Sequence, residues 1–223
     1  MSHHVYTSQG FVIDSKPNGE AGKVLFLFTR ELGMVAAIAQ GIRLGVSKLR
    51  YHTQDFSYAT FSLVKGKEMW RLTGATPVAS IAPIVSGGMS GEVSDDMSVT
   101  DDFSASVTPA HRAIYARVFS LLRRLLHGEE KNEPLFDSVL AFFTYMNERG
   151  NAKGDVTSSA DLELIECVIV LRVLHHLGYV RPSDVLTPFL MQDTWDDTLI
   201  DVMRRDKAFV VKEINAGIKA SQL

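Results

Sequence analysis

The sequence predicts an α+β chain: a small N-terminal β-barrel followed by an all-helical domain. Three observations predict it. Apolar, aromatic and β-branched residues alternate or run in short blocks through the first 80 residues; the apolar period becomes 3.6 from Thr108 onward; a polar, acid-rich stretch separates the two. With 223 residues, 46% of them hydrophobic, the chain has enough apolar side chains for a real core. The expected boundaries are 1–80 for the barrel, 81–107 for an acidic flexible linker and 108–223 for the helical domain.

The strands follow in order. Val5–Ile13 mixes β-branched and aromatic residues and meets Asp14-Ser15-Lys16-Pro17-Asn18-Gly19, which reads as a turn. Val24–Thr29 is a continuous apolar run, expected to be buried on both faces. Arg30-Glu31-Leu32-Gly33 turns it into Met34–Ala39. A short helical or irregular stretch, Arg43–His52, precedes the alternating Phe56–Val64, and Lys65-Gly66-Lys67 makes a hairpin into Glu68–Thr73. Five strands with a break after the third, within about 80 residues, point to the OB-fold, which binds oligonucleotides on its strand 2–3 face and its 1–2 and 4–5 loops.

Residues 80–107 are rich in Ser, Gly, Asp and Met, and carry Glu92, Asp95, Asp96, Asp101 and Asp102 without one basic residue. Too little apolar surface is on offer there to offset ordering entropy. Then Thr108-Pro109 reads as an N-cap with Pro at the first helical position. The apolar stripe Ile114, Val118, Leu121, Leu122, Leu125, Leu126 defines one helix, closed by Gly128. A second starts near Pro134. A third, Ser159 to Leu177 with Gly178 as terminator, is apolar almost all round and belongs in the middle of a bundle. Shorter helices are expected over Trp195–Met203 and Lys207–Lys219.

Composition excludes several functions. The formal charge of −3 rules out a polycation of the histone kind, yet residues 1–80 hold nine Lys/Arg against five Asp/Glu, and the rest hold 14 against 21. A basic front and an acidic back suggest two jobs. One cysteine, Cys167, excludes an internal disulfide framework and a Cys-rich zinc site. No uncharged apolar run reaches membrane-spanning length and no secretory signal opens the chain, so a cytoplasmic protein is expected. No Gly-x-x-x-x-Gly-Lys-Ser/Thr loop or Gly-x-Ser-x-Gly elbow is present. Ser62-Leu63-Val64-Lys65 matches Ser-x-x-Lys but lies on a strand without companion motifs. A non-enzyme without cofactors is expected.

The residues also resemble a known family. Gly10-Phe11-Val12-Ile13 opens the barrel, and Leu27-Phe28-Thr29-Arg30-Glu31-Leu32-Gly33 leads to an Ala-rich strand and Gly41-Ile42-Arg43. Glu68-Met69-Trp70-Arg71-Leu72 enters the fifth strand. Pro134-Leu135-Phe136 and Leu171-Arg172-Val173-Leu174-His175-His176-Leu177-Gly178-Tyr179 follow. Their joint order resembles RecO, the bacterial recombination and repair mediator family, over essentially the whole chain. The resemblance implies a non-enzymatic protein that binds single- and double-stranded DNA and anneals complementary strands. It further implies engagement of the acidic C-terminal tail of single-stranded DNA-binding protein (SSB), and work with RecR to load RecA at the bacterial nucleoid during repair. Many members carry paired Cys-x-x-Cys after the Leu-Gly-Tyr segment. Val180–Met191 has no cysteine here, so zinc is not expected. The turn after the third strand, often densely basic in the family, has Gln40, Ile42 and Leu44 around Arg43.

Read for themselves, the barrel residues offer the two ingredients of strand binding, cations for phosphates and aromatic faces for bases. The candidates are Lys16 and Lys23 on the 1–2 loop, Arg43, Lys48, Arg50 and Tyr51 after the third strand, and Lys65 and Lys67 on the 4–5 hairpin. Simple solvation is the competing reading for each lysine. Trp70 alternates with Leu72 and reads as core rather than stacking platform, which leaves Arg71 pointing outward as a contact. Arg30 is open between a structural pairing and a phosphate contact. In the helical domain Arg112, Arg117, Arg123 and Arg124 flank an apolar stripe and are candidates for an acidic partner peptide ending in a hydrophobic residue, or else a solvated face. The acidic linker is a spacer or an internal competitor for the basic barrel. His175-His176 fits the helix C-terminus better than a metal. The alternative to a DNA-binding mediator is a protein-interaction adaptor of the same fold with little DNA affinity.

Overall fold

The computed structural model describes residues 4–43, 47–78, 109–151, 158–192 and 194–222. The expected linker, and Thr108 with it, lie outside the described residues. Five strands, β1 (Val5–Asn18), β2 (Gly22–Thr29), β3 (Gly33–Ala39), β4 (Tyr58–Lys65) and β5 (Trp70–Pro77), close into a barrel in the order β1-β2-β3-β5-β4. All pairings are antiparallel except β3 with β5, which meet in parallel at just two positions, Ala37↔Trp70 and Ile38↔Arg71. A 3₁₀ turn, Lys48–His52, packs against β5 beside that narrow seam. The OB-type barrel expected from the strand pattern is the fold observed.

One expectation needs correcting. The polar stretch from Asp14 is not a turn: β1 runs on to Asn18, and Asp14 to Asn18 pair with Phe26 to Gly22. The register slips by one residue between Val12 and Asp14, a bulge that bends the long strand so that it serves both β2 and β4. The chain reverses only at Gly19, whose φ of +64° suits a residue without a Cβ. At its far end β5 likewise extends past Thr73 to Pro77.

The helices are α1 (Pro109–Leu125), α2 (Glu133–Asn151), α3 (Ser159–His176), α4 (Thr187–Leu190) and α5 (Asp197–Ala220). Asn132 caps α2, its side-chain oxygen accepting from Leu135 N at 3.1 Å. Ser158 caps α3 through Asp161 N at 3.1 Å, and Gly178 ends it at φ +81°. The two short C-terminal helices expected from the sequence are one continuous 24-residue helix capped by Asp196. Nothing between Met203 and Lys207 breaks it; Arg204-Arg205-Asp206 are tolerated helix residues. As expected, α3 is the central helix and touches α1, α2, α4 and α5. Its buried Arg172, 1% exposed, donates to the carbonyls of Phe189, Gln192 and Thr194 and lies over the Trp195 ring, fixing the segment between α4 and α5.

Two cores result. Inside the barrel sit Val12, Leu25, Leu27, Val35, Phe61, Leu63, Trp70 and Leu72. The second core joins the outside of the barrel to the helices. Phe11, Ile13, Phe28, Met34 and Tyr58 leave the barrel wall and pack among α1, α2 and α3. Phe11 is its hub, with ring centroids 5.7, 5.6 and 4.9 Å from Phe119, Phe136 and Phe143. Each such pair contributes about 0.5–1.5 kcal/mol beyond area burial. The barrel therefore keeps only part of its wall for ligands.

Candidate nucleic-acid interface

Alternation along each strand decides which side chains leave the barrel. Following the register across four strands gives one outward row: Lys16 on β1, Val24 on β2, Ile38 on β3 and Arg71 on β5. Lys16 and Arg71 are exposed, and the two aliphatics between them are half-buried. Trp70, by the same alternation, points inward and is 4% exposed, in the core as expected.

Beside this row, where β2 begins, lies a cleft of about 340 Å³ lined by Lys23, Ile42, Arg43, Arg50, Thr53 and Gln54. Three cations converge there, and no acid is among the described lining residues. Their positions follow from local structure. Lys23 is held by Ser15 Oγ at 3.4 Å, Arg43 donates to Gly19 O at 3.4 Å, and Arg50 comes from the 3₁₀ turn. A second groove of about 320 Å³ follows the β3–β5 seam past Ile38, Gln40, Lys65, Arg71 and Thr73. A polyanion laid along the cleft and row would meet cations from four elements, with Thr and Gln side chains to hydrogen-bond and aliphatic surface between.

The remaining sequence candidates divide. The side chains of Lys48 and Tyr51 lie outside what the structure describes. Lys67 is exposed on the 4–5 hairpin. Arg30 takes its structural option: it bridges to Asp137 on α2 at 2.7 Å and lies 5.9 Å from the Phe136 ring centroid. Lys65 is paired at 3.0 Å with Glu129, from the loop between α1 and α2, and the same carboxylate accepts from Trp70 Nε1 at 2.7 Å. Burial works to raise the Glu129 carboxyl, but the hydrogen bonds from Lys65 and Trp70 and the Lys65 charge outweigh it and hold the group below the usual carboxylate range.

That loop is anchored to the barrel at further points. Lys131 bridges Glu31 at 3.3 Å and Glu133 at 2.5 Å. At Gly33, φ +68°, a Cβ would stand 2.2 Å from the Glu130 carbonyl oxygen, so only glycine allows the approach. Sequence reasoning missed Glu129, Asp137 and Lys131, because their barrel partners stand 59 to 107 residues away.

The four helix arginines do not converge. Arg117 forks onto Glu166 of α3 at 2.5 and 2.6 Å, and Arg123 stacks on Phe26, its guanidinium carbon 3.7 Å from the ring centroid. Arg112 and Arg124 are exposed. His175 Nδ1 lies 3.0 Å from Val180 O, and Cys167 is half-buried with its thiol pushed up by that burial. Among the described residues no cluster of His, Cys, Asp or Glu could hold a metal, and no helix is long and apolar enough to cross a membrane.

Comparison with known proteins bears on this geometry. Residues 1–81 match the family model described as recombination protein O N terminal. The chain is 40% identical over 80 residues to a DNA repair protein RecO of Heliobacterium modesticaldum, covering 36% of this chain and 29% of that one. It is 25% identical over 178 residues to that of Desulfitobacterium hafniense, covering 80% and 53%. To that of Rubrobacter xylanophilus it is 29% identical over 147 residues, covering 62% and 54%. The chain spans about half the length of most of the curated relatives it matches, and less than a third of the first.

Proposed function

We propose, from these matches and the RecO family they point to, that the chain is a DNA-binding recombination mediator in DNA repair, annealing complementary strands and helping to load recombinase onto SSB-coated single-stranded DNA. The observation that carries the reading is the Lys23–Arg43–Arg50 cleft, with no acid among its described lining residues, adjoining the row from Lys16 to Arg71. Lys and Arg side chains there displace counterions from phosphates, and two strands held on one neutralised surface no longer repel each other as they pair. The work is electrostatic. It needs no nucleoside triphosphate, cofactor or covalent step, and the protein acts on both single- and double-stranded DNA.

In this reading the helical domain docks the acidic C-terminal tail of SSB protein. Arg112 and Arg124 are the α1 cations left for it, since Glu166 and Phe26 engage Arg117 and Arg123. RecR is the further partner that the RecO resemblance suggests, and the bacterial nucleoid the place of action. The test is a titration of labelled single-stranded oligonucleotide at several salt concentrations. Five phosphate contacts predict a log–log slope of about −3.5. ATP-independent annealing of complementary oligonucleotides should accompany it, and no binding even at low salt would overturn the reading.

One observation favours the adaptor reading instead: Asp137 and Glu129 already engage Arg30 and Lys65, two of the barrel's cations. An adaptor would bind SSB tail peptide while showing a salt slope near zero with oligonucleotides.

A further inference from the structure

Glu129 stands where an external anion would be held. Trp70 Nε1 and Lys65 Nζ donate to its two carboxylate oxygens at 2.7 and 3.0 Å. The indole N–H belongs to a side chain fixed in the barrel core and has one donor direction, so its aim is set by packing. Lys65 Nζ lies 5.3 Å from the Trp70 ring centroid, and Tyr6 meets that ring edge-on at 5.2 Å. This edge is open to solvent: Tyr6 is 37% exposed and the Lys65 side chain 59%. A neutral N–H, an ammonium group and an exposed phenol ring are the parts that would take one phosphate oxygen and a neighbouring base.

The carboxylate that fills this place is delivered by an anchored segment. The Glu130 carbonyl is seated on Gly33, and Lys131 ties the next residue to Glu31 and Glu133. Held so, on the same chain as the barrel, Glu129 competes at a high effective concentration.

We propose that Trp70 Nε1, Lys65 and Tyr6 form an additional phosphate-and-base site for single-stranded nucleic acid, filled in cis by Glu129, so that the α1–α2 loop is a built-in competitor. This rests on the nucleic-acid reading above and adds regulation to that surface. In the resting protein Lys65 contributes little to strand binding; displacement of Glu129 releases it and extends the contact from the β3–β5 groove to the Tyr6 edge.

The variant E129Q tests it. Glutamine keeps the length and an oxygen for the Trp70 N–H but carries no charge. Affinity for labelled oligothymidine should rise about eightfold at ~50 mM salt and about fourfold at ~150 mM, with the salt slope steeper by about 0.7, the signature of one more phosphate contact. The double variant K65Q/E129Q should lose the gain, binding no more tightly than K65Q alone. Equal affinity and slope in wild type and E129Q would leave Glu129 a structural clamp and overturn the proposal. If neither protein binds at the lower salt, the nucleic-acid reading falls first and takes this one with it; binding by E129Q alone would support a complete block. E129A gives a second check should E129Q fail to fold. In either variant, photo-cross-linking to a 5-iodouracil oligonucleotide should yield a Tyr6 adduct more strongly than in wild type, and adducts confined to other barrel residues would overturn the site.

Discussion

Neutralising the cleft at the start of β2 is the most direct perturbation of strand binding. The triple variant K23Q/R43Q/R50Q removes three charges that line one 340 Å³ cleft without touching the Phe11-centred core or the side chains that fill the barrel. Lys23 gives up a hydrogen bond to Ser15 Oγ and Arg43 one to Gly19 O, both at 3.4 Å, so the fold should tolerate the change. Each phosphate contact on a single strand contributes about −0.7 to the slope of log K against log salt, so three account for about −2 and the slope should fall from about −3.5 to about −1.5. At ~0.1 M salt that corresponds to roughly a hundredfold weaker affinity. Fluorescence anisotropy with labelled oligothymidine at four salt concentrations reads both quantities, and the thermal transition reports folding. An unchanged slope would refute the assignment, and so would weaker binding at a constant slope, because the three side chains would then not be acting as ions.

Three further outcomes are expected. Phe11→Ala should destabilise the chain by about 3–5 kcal/mol, since the ring joins barrel to helices; chemical denaturation followed by Trp fluorescence and by helical circular dichroism should still give coincident curves, and separated curves would mean two independent cores. Gly33→Ala should cost about 1–3 kcal/mol from the left-handed backbone alone, with more from the clash at Glu130, and loosen the α1–α2 loop, visible as faster amide exchange around residue 130. Burial depresses the His111 pKa in the folded state, so the unfolded chain takes up a proton first as pH falls. Stability should therefore be full near pH 7–8 and decline as the pH drops through about 6.5 and below; His111→Gln should flatten that part of a melting-temperature profile, and an unaltered profile would remove His111 as the cause.

Much of this was legible in the residues. Alternation from Phe56 to Val64 and the block Val24–Thr29 read as strands, and an α3 apolar almost all round reads as central. Inward Trp70 and outward Arg71 follow from a period of two. What stayed hidden depends on residues distant in sequence. Asp14-Ser15-Lys16-Pro17-Asn18 has turn chemistry, yet pairing with β2 overrides it. Arg30 offered no sign that Asp137 was its partner, 107 positions away. Phe11, Val12 and Ile13 alternate across their strand and so serve two different cores, but nothing local in the sequence says that the outward face packs on helices. One signal was there to be used: a single arginine, Arg172, within the apolar run from Cys167 to Leu174 marks a buried cation that must find acceptors.

The barrel closes on two parallel rungs, and both bear on anion binding, for Trp70 and Arg71 sit on one side of them and Ala37 and Ile38 on the other. On the proposed reading, a polynucleotide gripping that edge would also be a staple across the weakest join of the cylinder. Breathing of the ring and occupancy by ligand would then be one equilibrium, and the amides of residues 37, 38, 70 and 71 the place where the protein itself would register that it is loaded.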